Sequence, residues 1–418
     1  MDRPLRIALL TYRGAPHTGG QGVYTRQLSR ALVARGHDVE VFSGQPYPEV
    51  DEGVRLTPLP SLDLYRQPDP FRVPRRSEFR DAVDALEFAV MCTAGYPEPL
   101  TFSLRAWRAL RRRRDVDVVH DNQCLGYGTL AIARHVAPVV ATIHHPITVD
   151  RGINVAGASS RWQRFSIWRW YRFSAMQARV ARRIPHIIVP SETMRADVAR
   201  AFRIPAQRIT ATPLGVDTDV FRPLPHIEPV GGRIVTTASA DIPLKGLGIL
   251  VDALARLRHT HPHAHLVVIG TPREGSDIPP LIAARALQDA VHFRSGLAAE
   301  EIAELYASAQ VAVVPSLYEG FSLPAVEAMA SGVPLLATRG GALPNVVGEA
   351  GLLVEPGDPE TLRAGLARLL DDGALRGRLA DAGRARALRC FTWEATARAT
   401  EERYRAAIAA RSGRLARP

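Results

Sequence analysis

Lysine is almost absent from this chain of 418 residues, although lysine and arginine together number 53. Lys245 is the only lysine, so the other 52 residues of this count are arginines. A genome that drifts from lysine codons to arginine codons explains such a composition. A lysine that persists under this drift marks a position that needs a compact ammonium group, because a planar guanidinium does not replace it.

Cysteine is also scarce, since the chain has three, at positions 92, 124 and 390. An odd number of scattered cysteines gives neither a disulfide framework nor the spacing of a metal site, and it favours a reducing compartment. Long apolar runs are missing as well. None approaches the length of a membrane span, and the run 7–10 is too short for the core of a signal peptide. We therefore expect a cytoplasmic protein that can lie at the inner face of the membrane.

The remaining composition is ordinary for a soluble globular protein, with 46% hydrophobic and 23% charged residues. A chain of this length exceeds one ordinary hydrophobic core, so we expect two domains. The net charge of +11 and the pI of about 10.2 favour anionic partners, namely nucleic acid, anionic lipid or phosphorylated substrates.

Strands and helices alternate along both halves of the chain, which predicts two doubly wound α/β domains with parallel sheets. The segment 46–74 is punctuated by prolines and is predicted as a loop-rich insertion. A second proline cluster beginning at Pro223 marks the linker. The predicted domains are 1–223 and 224–391, and the final helix, within 392–418, is expected to pack back on the first domain.

Two glutamates eight residues apart, Glu319 and Glu327, lie in the most informative segment of the chain, 315–332. Glu319 follows the apolar strand 311–314, and Glu327 lies inside the helix that Pro324 is expected to open. Ligands bind at the carboxyl ends of strands in an open α/β sheet, so both carboxylates are expected to face one crevice. They could act as a glycosidase acid and nucleophile, but their placement better suits hydrogen bonds to ligand hydroxyls. Two ordinary surface glutamates are the plain alternative.

Glycines and the single lysine mark places where the backbone could bind an anion. Lys245 and Gly246 precede a helix, and an ammonium beside a helix N-terminus attracts phosphate. The loop after the first strand contains Gly19 and Gly20, which let the backbone approach a ligand closely. A further pair of glycines, 340–341, follows a later strand. A solvated lysine and a plain tight turn are the alternatives for the first two places.

The segment 161–183 combines aromatic and basic side chains. It holds three of the five tryptophans and seven arginines. Such a mixture suits an interfacial helix on anionic lipid. Core packing with a solvated basic face is the alternative.

Two patterns that resemble metal sites have simpler interpretations. Asp115 and Asp117 have D-x-D spacing, but they start an apolar strand. The alternating histidines 259–265 span a helix-to-strand turn that contains Pro262, which indicates a solvated loop. We therefore predict no metal site.

With these residues assembled, the chain resembles the retaining glycosyltransferases of family 4, which have the GT-B fold of two Rossmann-like domains facing a central cleft. The resemblance covers nearly the whole chain, and the two glutamates in their sequence context are its most specific mark. The other marks fall in the expected order: Gly19-Gly20, Gly36-His37, Thr142-Ile143-His144, Pro213-Leu214-Gly215-Val216-Asp217 with Phe221, Lys245-Gly246, Val268-Ile269-Gly270, the stretch 315–321, and Gly340-Gly341.

The resemblance implies a role for each matching position. Lys245 and the amide of Gly20 would bind the donor diphosphate, Glu327 the ribose, and Glu319 the donor sugar near its C3 hydroxyl. His144 would contact the sugar near the reaction centre, so His144, Lys245 and Glu319 are the implied catalytic residues. The implied donor-binding residues are Gly19, Gly20, Ser239, Lys245, Gly246, Gly270, Glu319, Gly320, Phe321, Ser322, Leu323 and Glu327.

Three positions depart from the family pattern. Ala240 stands where the family usually has a second phosphate-binding arginine, so Ser239 or Arg339 could substitute for it. Ser322 replaces the usual glycine after Glu-Gly-Phe. Asn345 replaces the usual glutamate after the later glycine pair. These departures leave the fold and the reaction class intact and leave the donor open.

The function that the resemblance implies is transfer of a hexose, with retention, from a UDP- or GDP-linked sugar to a hydroxyl acceptor. The acceptor would be a glycan, a lipid-linked sugar or a small molecule, and neither a metal nor another cofactor would be required. Nucleic acid is not an expected partner. Two alternatives remain: a phosphorylase that carries pyridoxal phosphate on Lys245, and a non-catalytic basic protein that binds nucleic acid or lipid.

Overall fold

The computed structural model describes residues 3–14, 20–66, 68–145, 160–238, 243–273 and 275–415. The chain divides into two compact units, Met1–Thr212 with Thr396–Pro418, and Pro213–Ala395. The division after Thr212 assigns residues 213–223 to the second unit, whereas the proline cluster beginning at Pro223 predicts them in the first domain. The last helix returns to the first unit from Thr396 onward.

The first unit is built on a seven-stranded sheet in which every neighbouring pair of strands is parallel. The strand order is β3-β2-β1-β4-β5-β6-β7. The strands are β1 Arg6–Thr11, β2 Asp38–Ser43, β3 Val54–Pro58, β4 Val118–Asn122, β5 Val139–Thr142, β6 His186–Val189 and β7 Ile209–Ala211. The helices are α1 Gln21–Ala34, α2 Ala82–Cys92, α3 Glu98–Leu110, α4 Tyr127–His135, α5 Arg161–Trp170, α6 Arg172–Ala181 and α7 Glu192–Phe202.

The second unit is built on a six-stranded parallel sheet with the order β10-β9-β8-β11-β12-β13. Its strands are β8 Arg233–Thr237, β9 His265–Ile269, β10 Val291–Arg294, β11 Val311–Val314, β12 Leu335–Thr338 and β13 Leu352–Val354. The helices are α8 Leu247–Leu257, α9 Ile278–Ala284, α10 Ala299–Ala307, α11 Leu323–Ala330, α12 Leu343–Val347, α13 Pro359–Asp371 and α14 Gly373–Cys390. The last helix, α15 Trp393–Leu415, begins in the second unit and belongs to the first from Thr396 onward.

Both sheets confirm the doubly wound α/β prediction. In each, the chain fills one side of the first strand and then the other, so the direction of winding reverses between β1 and β4 and again between β8 and β11. Ligands bind at such a reversal, outside the carboxyl ends of the strands. The fully buried strands β5, β11 and β12 match their nearly continuous apolar sequences, as expected for a parallel sheet covered on both faces. The fold therefore places two candidate binding edges, one in each unit.

The C-terminal helix α15 is anchored to the first unit by specific polar contacts. Glu401 accepts hydrogen bonds from Arg35 at 2.7 and 2.9 Å. Tyr404, which is fully buried, lies 2.6 Å from Nδ1 of His120 on β4. These contacts tie the end of the chain to the sheet of the first unit.

The aromatic and basic segment 161–183 forms the two helices α5 and α6. Within the described ranges, no helix is both long enough and apolar enough to cross a membrane. Trp170, at the end of α5, packs with Tyr65 and Tyr96 beside a small core cluster around Leu64. The side chains of this segment therefore do not share one environment, and part of the segment is core.

Candidate active site

Lys245 and Glu319 meet at the carboxyl edge of the second sheet. The lysine ends a short 3₁₀ turn, Pro243–Lys245, in the connection after β8, and the glutamate lies in the loop after β11. The ammonium Nζ donates a hydrogen bond to Glu319 Oε1 at 2.8 Å, and Ser316 Oγ donates to the same oxygen at 2.7 Å. The lysine side chain is 27% exposed and the glutamate side chain 10%. The single lysine therefore lies beside the first of the two glutamates, at the reversal point of this sheet.

Close backbone packing fixes this loop. A Cβ at Gly246, whose φ is +68°, would lie 2.1 Å from the carbonyl oxygen of Pro315. A Cβ at Gly341, whose φ is +62°, would lie 2.3 Å from the carbonyl oxygen of Glu319. Both positions require glycine for conformation and for space. The turn that follows β12 and the turn that carries the lysine thus hold the Glu319 loop from two sides.

Glu327 lies in the second turn of α11. Burial raises the pKa of its carboxyl to about 7. Tyr306 on α10 is also buried, and burial together with the nearby charge of Glu327 raises the pKa of its phenol. The Tyr306 hydroxyl lies 3.2 Å from Thr237 Oγ1 and donates to the carbonyl of Pro324 at 3.3 Å. A carboxyl with this pKa exchanges its proton near neutral pH and can serve as hydrogen-bond donor or acceptor.

The helix α11 starts at the same edge. Leu323 is its first residue, one position before Pro324. Ser322 precedes it with a φ of 93°, and its side chain makes no capping hydrogen bond to the helix. Phe321 is buried and packs edge-on against Phe391 at 5.7 Å. The left-handed backbone at Ser322 explains why the family usually has glycine there.

Other predicted site residues fall into three groups. Gly270 follows β9 with a φ of 142°, and its amide donates a hydrogen bond to the carbonyl oxygen of Arg294. Gly320 lies between Glu319 and the buried Phe321. Gly19 and Ser239 lie outside the described residues, as does Ala240, so the structure does not place them.

Arg339, a candidate substitute for the missing arginine, is half exposed and pairs with Glu355 at 3.4 Å. In the described part of the chain, no cluster of three or more His, Cys, Asp or Glu side chains is arranged to hold a metal ion.

At the carboxyl edge of the first sheet, Gly20 precedes α1, and its carbonyl oxygen accepts a hydrogen bond from the amide of Tyr24 at 2.9 Å. A Cβ built at Gly20 would meet no atom within 4 Å outside its neighbours and helix, as far as the structure describes the chain. Among the described residues, therefore, none blocks a ligand from approaching the start of α1 at Gly20.

His144 follows β5 at this edge. Its ring lies edge-on to Tyr24, with 4.6 Å between ring centres, and its Nε2 is 2.7 Å from Oδ1 of Asn122. Its backbone amide donates to Oε1 of Gln123 at 2.6 Å. Burial lowers the pKa of the imidazole to about 4, so it is neutral at pH 7.

Sequence reasoning did not assign a role to the polar side chains around His144. Thr142 Oγ1 lies 3.0 Å from the Tyr24 hydroxyl and 2.7 Å from Nε2 of His120. His120 in turn reaches Tyr404, and burial lowers its pKa to about 3. The available signal was the run His120-Asp121-Asn122, because three polar residues that end an apolar strand mark the ligand-binding edge of a parallel sheet.

On α5, three aromatic rings are exposed in a row. Trp162 is 72% exposed, Phe165 49% and Trp168 46%. Neighbouring rings lie 5.6 and 6.3 Å apart, and the guanidinium of Arg172 lies 5.0 Å from the ring centre of Trp168. We call these three residues the aromatic row. The row differs from Trp170, which is partly buried and packs against the core cluster around Leu64.

Comparison with known proteins assigns the chain to a family. Residues 18–220 match the model of Glycosyltransferase Family 4, and residues 231–372 match the model of Glycosyl transferases group 1. A relative from Mycolicibacterium hassiacum, named an MMP alpha-(1->4)-mannosyltransferase, is 53% identical over 410 residues. The match covers 97% of this chain and 99% of the relative.

Solved structures show the same fold. A sucrose-phosphate synthase from Thermosynechococcus elongatus matches with a TM-score of 0.72 and 26% identity, over 97% of this chain and all of that one. HepE from Anabaena, solved with UDP and glucose, matches with a TM-score of 0.70 and 17% identity, over 95% and 98% of the two chains. The chain therefore belongs to the family 4 glycosyltransferases of the GT-B type and is an enzyme that acts on a sugar donor.

Proposed function

We propose that this enzyme transfers a mannosyl group from a UDP- or GDP-linked sugar to a saccharide hydroxyl, with retention of the anomeric configuration. The observation that carries the proposal is the contact between Lys245 and Glu319, with Glu327 on the helix that follows. The name of the Mycolicibacterium relative supports a mannosyl donor and an α-linked product. UDP in the HepE complex supports a nucleoside diphosphate as the leaving group.

The charges at this edge suit the donor. Lys245 and Glu319 bind each other in this structure, and the donor would replace this ion pair with contacts of its own. Its diphosphate would take the ammonium, and a sugar hydroxyl would take the carboxylate. Glu327 would bind the ribose, for which a carboxyl that titrates near pH 7 offers both a donor and an acceptor.

The reaction step rests on leaving-group stabilisation. Negative charge grows on the departing diphosphate in the transition state, and a positioned ammonium together with helix N-terminal amides stabilises it. We assign no carboxylate as a covalent nucleophile, so the acceptor hydroxyl attacks from the side that the diphosphate leaves. Attack from this side preserves the anomeric configuration. The departing phosphate oxygen takes the proton of the acceptor hydroxyl. An NMR spectrum of the first product formed from an α-linked donor checks retention, and a β-linked product would contradict it.

We infer that Lys245 supplies the positive charge that a metal ion would otherwise provide to the diphosphate. Transfer by the enzyme is expected to be unchanged after treatment with EDTA. A loss of activity that added magnesium or manganese restores would overturn this part of the proposal.

A thermal-shift screen of UDP-, GDP- and ADP-linked sugars tests the donor, because a ligand that binds only the native state raises Tm. We expect a mannose donor to raise Tm and Lys245→Ala to abolish the shift. No shift and no transfer with any nucleotide sugar would reject the proposal. The absorbance spectrum of the pure protein separates the phosphorylase alternative, because a pyridoxal phosphate Schiff base absorbs in the visible or near ultraviolet.

The aromatic row supports a membrane surface as a further partner. Residues 160–183 contain seven arginines and no acidic residue, so the charge around the row complements anionic lipid. We expect the protein to sediment with phosphatidylglycerol vesicles and not with phosphatidylcholine vesicles. The variant W162A/F165A/W168A should lose this binding and keep its fold. Equal sedimentation of the variant, or none of the native protein, would remove the membrane from the proposal.

A further inference from the structure

His144 is held in one orientation by contacts on several sides. The rings of Tyr24 and His144 pack in a T-shaped arrangement, the side chain of Gln123 accepts a hydrogen bond from the His144 backbone amide, and Asn122 contacts Nε2. A neutral imidazole carries a proton on one nitrogen and a lone pair on the other. Which nitrogen carries the proton decides whether the ring presents a donor or an acceptor to a ligand.

The side chain of Asn122 settles this question through its other contacts. Its Nδ2 lies 3.1 Å from Oγ1 of Thr25 and 3.3 Å from the carbonyl oxygen of Gln21. The hydroxyl of Thr25 donates its own proton to that same carbonyl at 2.8 Å, so its oxygen is an acceptor toward Asn122. Both atoms at this end are acceptors, so the amide nitrogen belongs there.

The amide oxygen of Asn122 must then face the imidazole. A carbonyl oxygen only accepts hydrogen bonds, so Nε2 of His144 carries the proton and Nδ1 carries the lone pair. The chain of contacts begins on α1, whose N-terminus follows the glycine loop, and ends at His144 after β5.

We infer that Asn122 is a positioning residue that fixes His144 as the Nε2–H tautomer, so that Nδ1 presents a hydrogen-bond acceptor at the carboxyl edge of the first sheet. The effect on activity rests on the proposed function, whereas the tautomer does not. An acceptor nitrogen on a neutral ring suits a ligand that presents a hydroxyl at this point.

The surroundings favour the neutral ring. His120 and Tyr24 are the titratable groups that face His144, and neither is anionic at pH 7. The nearby carboxylate of Asp121 is engaged with Thr129 Oγ1 at 2.7 Å and with the amide of Cys124 at 2.6 Å. No acidic group among the described contacts of His144 therefore favours an imidazolium.

The tautomer is tested directly by NMR on the full-length protein without donor. Protein labelled with ¹⁵N-histidine gives long-range ¹H–¹⁵N correlations that distinguish the two tautomers from the imidazolium, and His144→Gln assigns the signal. We expect Nε2–H at pH 7. An Nδ1–H pattern, or a charged ring, would overturn the inference. This measurement needs no substrate, so it stands even if the proposed donor is wrong.

Two substitutions of Asn122 test the positioning role. Asn122→Ala removes the partner of Nε2 and should lower kcat/KM about 10- to 100-fold at every pH. Asn122→Asp places a carboxylate there, which raises the pKa of His144 and removes the Nδ1 lone pair below that pKa. Its kcat/KM should therefore fall as the pH is lowered through a range where the native enzyme is unaffected.

Recovery of Asn122→Asp at high pH would show that the variant is folded and that only protonation impairs it. Thermal unfolding of both variants provides the structural control. A pH profile of Asn122→Asp identical to that of the native enzyme would contradict the inference, as would full activity of Asn122→Ala.

Discussion

The two sheets have the same strand order around the point of reversal and yet present different chemistry at their carboxyl edges. The edge of the first sheet carries neutral polar side chains, in which His144 contacts Asn122 directly and His120 contacts the hydroxyls of Thr142 and Tyr404. The edge of the second sheet carries charge, in the ammonium of Lys245 and the carboxylate of Glu319.

The difference shows that one backbone plan can serve two kinds of recognition. Burial lowers the pKa of His144 and raises that of Glu327, so each ionisable group is driven toward its neutral form. Lys245 and Glu319 form an ion pair, with 2.8 Å between Nζ and Oε1. Charge at one edge suits a diphosphate, and neutral polar groups at the other suit hydroxyls. The predictions below test this contrast.

The largest effect is expected at the charged edge. Lys245→Ala removes the cation that stabilises the leaving diphosphate and should lower kcat at least about 10²- to 10³-fold in a transfer assay. Lys245→Arg should recover only part of the rate, because a guanidinium does not reproduce a compact ammonium. Arg285→Ala, which also removes a cation of the second unit, paired with Asp252 at 2.7 Å, is the matched control and should remain active. Equal activity of Lys245→Ala and the control would remove the functional basis of the contrast.

The two edges should also respond to pH with opposite sign. Glu327 has a pKa of about 7 in the native protein against an ordinary 4.5, so the native state keeps a proton that the unfolded state loses. Its contribution to stability therefore falls as the pH rises from about 4.5 to 7. His144 has a pKa of about 4 against an ordinary 6.5, so the unfolded state takes up the proton first. Its contribution falls as the pH drops from about 6.5 to 4.

Urea denaturation between pH 4 and 8 measures this contrast. Relative to the native protein, the free energy of unfolding of Glu327→Gln should increase by about 1–3 kcal/mol as the pH rises. That of His144→Gln should increase by a similar amount as the pH falls. If the difference in unfolding free energy between variant and native protein changes with pH in the same direction for both variants, the two edges do not differ as described.

Sequence patterns located the charged edge well. Lys245 was recognisable as the only lysine, and Glu319 as a carboxylate directly after an apolar strand, because both signals are local. The parallel sheets also followed from the alternation of elements. Whether these residues act on a donor in the assigned roles stays a prediction.

The parts that escaped prediction depend on distant or conformational effects. The strand β3, Val54–Pro58, lies in the proline-rich segment 46–74, where pairing with β2 overrides the loop-like sequence. The network around His120 joins residues as far apart as Tyr24 and Tyr404, and no local pattern encodes that distance.

A smaller effect is expected from the neutral network itself. Tyr404→Phe removes the hydroxyl that lies 2.6 Å from Nδ1 of the fully buried His120 and leaves that nitrogen without its partner. The free energy of unfolding should fall by about 1–3 kcal/mol in urea denaturation. Tyr127→Phe, at a site that is 43% exposed, should change it little and serves as the control. Similar values for both variants would mean that the network does not stabilise the first unit.

The smallest effect is expected at two residues whose backbone is in the left-handed region, one at each edge. Gln123 has a φ of 55°, and its amide compensates: Oε1 accepts from the amide of His144 at 2.6 Å, and Nε2 donates to the carbonyl of His145 at 2.7 Å. Ser322 has a φ of 93°, and its buried Oγ has no hydrogen-bond partner among the described residues.

Glycine should therefore act in opposite directions at the two positions. Ser322→Gly relieves backbone strain and should raise the free energy of unfolding by about 1 kcal/mol, whereas Gln123→Gly loses two hydrogen bonds and should lower it by about 1–2 kcal/mol. Ser322→Ala keeps the strain and removes only the hydroxyl, so it isolates the backbone term. If Ser322→Gly is no more stable than Ser322→Ala, the left-handed backbone at the charged edge stores no strain, and the serine needs no functional reason to stand where the family usually has glycine.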